Sequence, residues 1–169
     1  IPKIVFQKDD VEILIIDDKS TDNTLKKMYE IKKLNKRVKI KLLSNKENLG
    51  YGGNQKIGYQ YAIINKFDLV VLLHGDGQYA PEEIINIISP LKKGFDAVQG
   101  SRMIKKFDAL KGGMPIYKFI GNICLTTFQN IFTGLKLSEF HSGYRAYSVN
   151  ALKKIPFQFN SSYFEFDTE

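Results

Sequence analysis

The segment Val11-Glu12-Ile13-Leu14-Ile15-Ile16-Asp17-Asp18 decides the fold of this chain. Its short run of aliphatic and β-branched residues is typical of a strand covered on both faces, as in a parallel sheet. Two carboxylates end the run, and residues 20–22 then supply the Ser, Thr and Asp side chains that favour a helix N-terminus. The segment therefore predicts a buried strand followed by a helix that extends to about Asn35.

The same alternation of apolar runs and helical patterns continues along the chain. It predicts an α/β fold with a mostly parallel sheet flanked by helices and joined by right-handed crossovers. We treat residues 1–169 as a single domain and expect it to be truncated at both ends, because it opens on Ile1 and closes without a helix stop. The further strands are predicted at 38–43, 69–73, 97–100 and 144–148, and the further helices at about 54–65, 81–91, 115–132 and 149–154.

The composition is that of an ordinary folded domain, with 43% hydrophobic and 25% charged residues. The formal net charge of +7 comes mostly from lysines, which either solvate helix faces or attract a polyanion such as acidic lipid or a phosphorylated ligand. We expect no nucleic-acid partner, because the sequence carries no zinc-finger, helix-turn-helix or single-strand-binding pattern. The single cysteine, Cys124, excludes an internal disulfide and suggests a cytoplasmic location.

One stretch, 114–132, comes nearest to a membrane span. Polar side chains interrupt it at Lys118, Asn122, Gln129 and Asn130. A spanning helix needs about 20 consecutive, predominantly apolar residues. The stretch is therefore interpreted as an amphipathic or buried helix.

Polar residues follow three of the predicted strands directly. In open α/β sheets the ligand lies beyond the carboxyl ends of the strands. This rule selects Asp17-Asp18, the glycine-rich loop after Ser44, and His74-Gly75-Asp76. The loop lacks the spacing of a dinucleotide-binding or P-loop motif, so it is weak evidence for phosphate binding by itself.

Each carboxylate has a structural and a functional interpretation. One of Asp17 and Asp18 caps the following helix, or the pair accepts hydrogen bonds from a nucleotide base or ribose. Asp76, between Gly75 and Gly77, either belongs to an ordinary turn or holds Mg²⁺ or Mn²⁺, which neutralises a diphosphate. Gln78 then adds a second oxygen ligand or a ribose contact.

Five segments, in order, resemble the motifs of family 2 glycosyltransferases with the GT-A fold. Residues 15–22 (IIDDKSTD) resemble "VVDDGSTD", residues 48–58 resemble the glycine-rich "N-x-G" segment, and residues 72–81 (LLHGDGQYAP) resemble "lDaDgQhdP". Residues 100–102 (GSR) resemble the "GsR" that follows the next strand. Residues 141–147 (HSGYRAY) resemble the "sGyRay" of the polyprenyl-phosphate mannose or glucose synthase branch, and the order is more specific than any single segment.

For the donor, the resemblance implies a nucleotide-sugar site at the first strand ends. Asp17 and Asp18 would contact the nucleotide base, and Asn48 and Gly50 would line the same site. The first strand of the family, with its base-binding loop, is not found ahead of Val11, and residues 1–7 are interpreted as the helix that follows it. We therefore expect weak nucleotide binding, and little or no activity, from this piece alone.

For the reaction centre, the resemblance implies a metal ion and an acceptor-side base. Asp76 and Gln78 would bind the metal and the diphosphate, and Arg102 would contact a phosphate of the donor or acceptor. Asp167 or Glu169 would stand where a general base assists the acceptor.

His74 departs from the family pattern, because it stands where the first Asp of the D-x-D motif is expected. Imidazole ligates Mn²⁺ but suits Mg²⁺ poorly. Either Asp76 suffices to hold the metal, or the set His74, Asp76 and Gln78 prefers a different metal ion, or the activity is reduced. A cluster of His74, Asp76 and His141 is conceivable, whereas an isolated histidine is more often a hydrogen-bonded structural residue.

The resemblance predicts an enzyme that moves a sugar from a UDP- or GDP-sugar to an acceptor, with inversion and with a divalent metal. The preferred acceptor is polyprenyl phosphate, and the basic surface suits association with the cytoplasmic face of a membrane. Three alternatives remain: a transferase that builds surface polysaccharide on a glycan acceptor, a nucleotide-sugar-binding protein without catalysis, and a nucleotidyltransferase of similar fold.

Overall fold

The structure is a computed structural model that describes residues 1–8, 10–77, 79–104, 109–110 and 112–161. Its element order confirms an α/β chain, with a helix at the N-terminal residues as expected. The helices are α1 (Lys3–Lys8), α2 (Thr24–Leu34), α3 (Gly50–Ile64), α4 (Ile84–Lys92), α5 (Ile116–Thr133) and α6 (Val149–Leu152). The strands are β1 (Glu12–Asp17), β2 (Lys39–Ser44), β3 (Leu69–Leu72), β4 (Ala97–Gln99) and β5 (Arg145–Ser148).

Strands β1 and β2 form a two-stranded parallel sheet. The register pairs Glu12 with Lys39 at one end and Asp17 with Ser44 at the other. Because parallel strands end at the same edge, this register places the Asp17 carboxylate beside the start of the loop that leads to α3.

The remaining strands form a separate three-stranded sheet in the order β3-β5-β4, and both of its pairings are antiparallel. The expectation of one mostly parallel sheet is therefore wrong for the described residues. Strands β3 and β4 do run in the same direction, but β5 lies between them and takes their hydrogen bonds. Leu69 pairs with Ser148 at one end of β3, and Gln99 pairs with Arg145 on the other side of β5.

Helix α4 anchors this second sheet through one apolar stripe. Ile87 and Leu91, one turn apart, are 7% and 5% exposed and pack with Tyr144 and the fully buried Ala146. A 3₁₀ turn, Pro81–Glu83, leads into the helix with proline at its first position, where no amide hydrogen bond is lost. The packing fixes the segment that precedes β5, which belongs to the candidate site.

The other core cluster joins α3 to the end of the described chain. Tyr59, Leu152 and Phe157 are each 1–2% exposed and pack together. The two phenylalanines at this end of the described chain differ: Phe157 is buried, whereas Phe159 is 89% exposed. Residues 162–166 lie outside the described part of the chain.

Helix α5 is amphipathic, but its polar side faces the protein. Thr126 is its buried residue, and Asn122 and Thr126 make the inward hydrogen bonds. Among the described helices, none is long and apolar enough to cross a bilayer. The outward side of α5 carries seven large apolar side chains that are 54–74% exposed: Ile116, Tyr117, Ile120, Leu125, Phe128, Ile131 and Phe132.

Candidate functional site

Asp17 ends β1 as a buried side chain, 4% exposed. Its Oδ1 accepts the backbone N–H of Ser20 at 3.3 Å, and its Oδ2 accepts the hydroxyl of Ser44 at 3.0 Å. Hydrogen bonding by Ser20 is the largest influence and, with Ser44, it lowers the pKa of Asp17 despite burial. Asp17 therefore holds the turn after β1 and the end of β2 together as an ionised group.

Asp18 caps helix α3, which begins 32 residues further along the chain. Its Oδ1 accepts the backbone N–H of Leu49 and its Oδ2 that of Gly50, both at 2.8 Å. Asn45 donates a third hydrogen bond to Oδ1 at 2.9 Å. Burial opposes ionisation, but these three donors outweigh it and lower the pKa of Asp18. A carboxylate at a helix N-terminus is also stabilised by the helix dipole.

A cap by Asp17 or Asp18 was expected for the following helix, α2, whereas Asp18 caps α3. Helix α2 begins at Thr24. Its N-cap residue, Asn23, makes no side-chain cap hydrogen bond, but Asp22 Oδ1 accepts the backbone N–H of Thr24 at 2.9 Å, as residues 20–22 led us to expect. The sequence could not indicate that Asp18 reaches α3. It also missed Asn45, which bridges Asp18 and Asn54 with hydrogen bonds of 2.9 and 2.8 Å.

The glycine-rich segment meets Asp18 at the first turn of α3. Asn48 is exposed, and its Oδ1 accepts the backbone N–H of Gly50 at 3.1 Å. Gly50 has φ +75°, a conformation that side-chain-bearing residues rarely adopt. The structure thus brings together four residues that sequence analysis assigned to donor binding: Asp17, Asp18, Asn48 and Gly50.

His74 lies between two tyrosines at the end of β3. Its Nε2 hydrogen-bonds the Tyr51 hydroxyl at 2.8 Å, and its ring makes edge-to-face contacts with Tyr51 and Tyr79 at centroid distances of 5.3 and 4.9 Å. Burial is the largest influence on its pKa, which lies below the ordinary value although Asp76 opposes the shift. The imidazole is therefore neutral at pH 7.

Gly143 packs directly against the His74 ring. A Cβ at Gly143 would lie 2.7 Å from Cε1 and 2.8 Å from Nε2 of that ring. The backbone N–H of Gly143 donates to the Tyr79 hydroxyl at 2.8 Å. Tyr51 and Tyr79 were missed by sequence analysis, although both stand inside the segments that it selected. His74 therefore ties α3 to the segment before β5.

Asp76 is exposed in the turn after His74, with Gly77 at φ +75°. Mg²⁺ is commonly held by one or two carboxylates together with water and substrate phosphates, and this exposed carboxylate fits such a site. The described residues contain no group of three or more His, Cys, Asp or Glu side chains that could hold a metal, so the cluster of His74, Asp76 and His141 is not formed. Gln78 lies outside the described residues.

Arg102 is held by Glu139 at the end of the loop after β4. Its backbone N–H and its Nε donate to the two oxygens of Glu139 at 2.8 and 3.2 Å, and Nη2 forms an ion pair with Oε1. Nη2 also donates to the carbonyl of His141 at 3.0 Å. Arg145, by contrast, is 5% exposed and donates Nε to the Ser142 carbonyl at 2.8 Å.

These contacts join the strand-end residues into one continuous strip, which runs from Asp18 through Tyr51, His74 and Gly143 to Arg102. Tyr51 links the Asp18 group to His74, because it follows Gly50 on α3. The segment 141–143 links His74 to Arg102, through Gly143 at one end and the His141 carbonyl at the other. The two candidate bases, Asp167 and Glu169, lie outside the described residues.

The described chain is an α/β domain whose candidate residues lie where β1, β3 and β4 end. A family model described as glycosyl transferase family 2 matches residues 3–156, and the chain belongs to this family. The resemblance drawn from the five sequence segments is thereby confirmed.

Several characterised relatives share the same stretch. The chain is 32% identical over 164 residues to a UDP-N-acetylglucosamine–dolichyl-phosphate N-acetylglucosaminyltransferase of Methanococcus voltae, covering 90% of the chain and 64% of the relative. It is 25% identical over 145 residues to a polyprenol monophosphomannose synthase of Mycolicibacterium smegmatis (86% and 54%). It is 24% identical over 146 residues to an undecaprenyl-phosphate mannosyltransferase of Micrococcus luteus (85% and 57%). The chain thus spans less than two thirds of each relative.

Proposed function

We propose that the protein containing this chain is a GT-A-type glycosyltransferase that moves a sugar from a UDP- or GDP-sugar to polyprenyl phosphate. The observation that carries the proposal is the continuous strip from Asp18 to Arg102 in a member of glycosyl transferase family 2. The names of the three relatives, each of which refers to a polyprenyl-type phosphate, support the choice of acceptor.

The donor is proposed to lie along the first half of the strip. The turn that Asp17 and Asp18 fix, together with Asn48 and Gly50, offers hydrogen-bonding groups to the base and ribose. The N-terminus of α3 is of limited use to a phosphate, because Asp18 already accepts the N–H groups of Leu49 and Gly50. We therefore place the nucleoside, rather than the diphosphate, beside Asp18.

The diphosphate is proposed to lie between Asp76 and Arg102. Asp76 and Gln78 would hold Mg²⁺ or Mn²⁺, which would neutralise charge on the leaving diphosphate. We do not place His74 among the metal ligands, because its Nε2 already hydrogen-bonds the Tyr51 hydroxyl. Its role is to hold the site together through its contacts with Tyr51 and Gly143. Arg102, whose side chain is 43% exposed, supplies a fixed positive charge for a phosphate of donor or acceptor.

The reaction is proposed to be one in-line displacement with inversion. A phosphate oxygen of the acceptor forms the new bond to the anomeric carbon as the bond to the nucleoside diphosphate oxygen breaks. A phosphate oxygen is already ionised and nucleophilic, so little base assistance is required. Asp167 or Glu169 stays the candidate base for an acceptor that must lose a proton.

Association with a membrane surface is proposed to use helix α5. The helix presents its apolar side outward, and residues 112–138 contain Lys118 and Lys136 but no Asp or Glu. Apolar side chains beside lysines are the pattern of helices that lie in the headgroup region of anionic bilayers. Helix α5 itself lies beside Arg102, because its inward Asn122 hydrogen-bonds Glu139, which also pairs with Arg102. We place the protein at the cytoplasmic face.

The test is sugar transfer by the full-length protein from a panel of UDP- and GDP-sugars, with Mn²⁺, Mg²⁺ or EDTA. Undecaprenyl phosphate and a soluble glycan are offered as acceptors. We expect metal-dependent release of UDP or GDP with formation of a lipid-linked sugar. Transfer to the glycan alone would identify a polysaccharide-building enzyme, and nucleotide binding without turnover would identify a non-catalytic binder. Release of diphosphate from a sugar phosphate and a nucleoside triphosphate would identify a nucleotidyltransferase.

A further inference from the structure

Glu139 is a carboxylate with no solvent contact, since its side chain is 0% exposed. A charge in that position is costly unless it is paired and hydrogen-bonded. It accepts hydrogen bonds from three groups of Arg102, the backbone N–H at 2.8 Å, Nε at 3.2 Å and Nη2, and from Asn122 Nδ2 at 3.0 Å. The donors come from the loop after β4 and from helix α5, so Glu139 joins both to the segment before β5.

These bonds fix the orientation of the Arg102 guanidinium. Nε and Nη2 face Glu139, and Nη2 also reaches the carbonyl of His141. The guanidinium is planar with its donors in a rigid fork, so holding one edge sets the direction of the other. Within the described part of the chain Nη1 makes no hydrogen bond, and the side chain is 43% exposed.

Glu139 also stabilises the charged form of Arg102 in its half-buried position. Burial works against the charge, but the hydrogen bonds and the negative charge of Glu139 raise the pKa of Arg102 above its ordinary value. A cation that is already oriented loses less rotamer freedom when it binds an anion than a free surface arginine does. The ion pair therefore prepares Arg102 for a phosphate at the Nη1 edge.

We propose that Glu139 is the positioning residue for Arg102, and that Asn122 connects this ion pair to helix α5. The inference rests on the proposed function, in which Arg102 binds a phosphate of donor or acceptor. The affinity of Arg102 for a phosphate then depends on a buried carboxylate that touches no ligand. Helix α5, which carries the exposed apolar side, supports the phosphate site through Asn122.

The experiment is a double-mutant cycle in the full-length protein, using Glu139→Gln and Arg102→Ala with undecaprenyl phosphate as acceptor. The glutamine substitution keeps the size of the side chain but presents an amide to the guanidinium. We expect Arg102→Ala to lower kcat/KM about 100-fold, the usual effect of one transition-state donor. Glu139→Gln should lower it by about 10-fold or more alone but by less than about 2-fold in the Arg102→Ala background.

The affinity for UDP and GDP, measured by calorimetry with Mn²⁺ present, is a second readout that needs no turnover. It should fall with Glu139→Gln only while Arg102 is present, if Arg102 contacts the donor. If Arg102 serves the acceptor instead, KM for undecaprenyl phosphate should rise and the nucleotide affinity should hold. Glu30→Gln, an exposed glutamate on α2, is the matched control and should change neither quantity.

Equal losses from Glu139→Gln in both backgrounds would overturn the inference, because they would show that Glu139 acts on folding or elsewhere. If Glu139→Gln does not fold, Glu139→Asp takes its place in the same double-mutant cycle, because aspartate keeps the negative charge but its shorter side chain reaches less far toward Arg102. Asn122→Ala should reproduce a smaller, Arg102-dependent loss. Absence of sugar transfer by the unsubstituted protein would defeat the proposed function instead, which separates the two failures.

Discussion

Gly50 donates its backbone N–H to the Asp18 carboxylate at 2.8 Å, which joins the end of β1 to the first turn of α3. The contact crosses 32 positions of the chain, and Leu49 and Asn45 add two further hydrogen bonds to the same carboxylate. Asp18 is therefore a structural centre of the donor half of the strip as well as a candidate contact for the nucleotide.

Replacement of Asp18 by Asn should lower both stability and nucleotide affinity. The amide nitrogen would face backbone N–H groups, so one or two of them would lose an acceptor. We expect a loss of about 1–3 kcal/mol in the free energy of unfolding, the usual cost of unsatisfied buried donors. Urea denaturation measures the first effect and calorimetry with UDP or GDP the second. Glu47→Gln, an exposed change in the same loop, is the control.

Acid should weaken the fold through Asp17 and Asp18. Both have pKa values below the ordinary 3.8, so their ionised forms stabilise the folded chain. This contribution should be present above the ordinary carboxyl pKa and should be lost as pH falls through the lower values of the folded state. Urea midpoints measured from pH 7 down to pH 3 would show it. A double Asn variant whose stability fell just as steeply with acid would contradict this assignment.

A methyl group at position 143 should disrupt the His74 contact. The Cβ of Gly143→Ala would lie 2.7 Å from the His74 ring, which Tyr51 holds in place. We expect destabilisation of about 1–3 kcal/mol, the usual cost of overpacking, together with reduced transfer. Gly121→Ala on α5 is the matched control, because its Cβ would meet nothing within 4 Å, and it should be neutral or stabilising by up to about 1 kcal/mol. Thermal unfolding compares the two.

Asp76→Ala should abolish Mn²⁺- or Mg²⁺-dependent transfer and leave the fold intact. The side chain is exposed in a turn, so its loss costs little packing. Metal titration of UDP or GDP release measures the effect. Asp68→Ala, an exposed carboxylate just ahead of β3, should keep both activity and metal response. Unchanged activity of Asp76→Ala would remove the metal assignment.

Charge on the outer side of α5 should prevent association with vesicles. Phe128 and Phe132 are 59% and 74% exposed and contact each other with tilted rings at a centroid distance of 4.4 Å. Because both side chains lie mostly in solvent, replacing them by Asp should leave the fold stable. Co-flotation with vesicles of anionic phospholipid should decrease for this variant. Phe159→Asp, 89% exposed at a site away from α5, should bind vesicles like the unsubstituted protein. Equal binding by all three proteins would exclude α5 as the membrane contact.

The sequence predicted the elements far better than their arrangement. Every predicted strand and every long helix exists within a few residues of its expected position, because each follows from a local apolar pattern. The position of β5 between β3 and β4 was not predicted, since it depends on which apolar faces meet after collapse. Helix ends were less accurate, and α3 begins at Gly50, inside the segment interpreted as a loop.

For the site, the sequence by itself determined which segments carry the chemistry and, through their order, the family of the chain. Only the tertiary structure decided what each side chain does. Asp18 caps a helix 32 residues away, His74 bonds Tyr51 at a separation of 23, and Arg102 pairs with Glu139 at a separation of 37. Such contacts leave no periodic signal along the chain, because they depend on long-range packing rather than on the preferences of neighbouring residues.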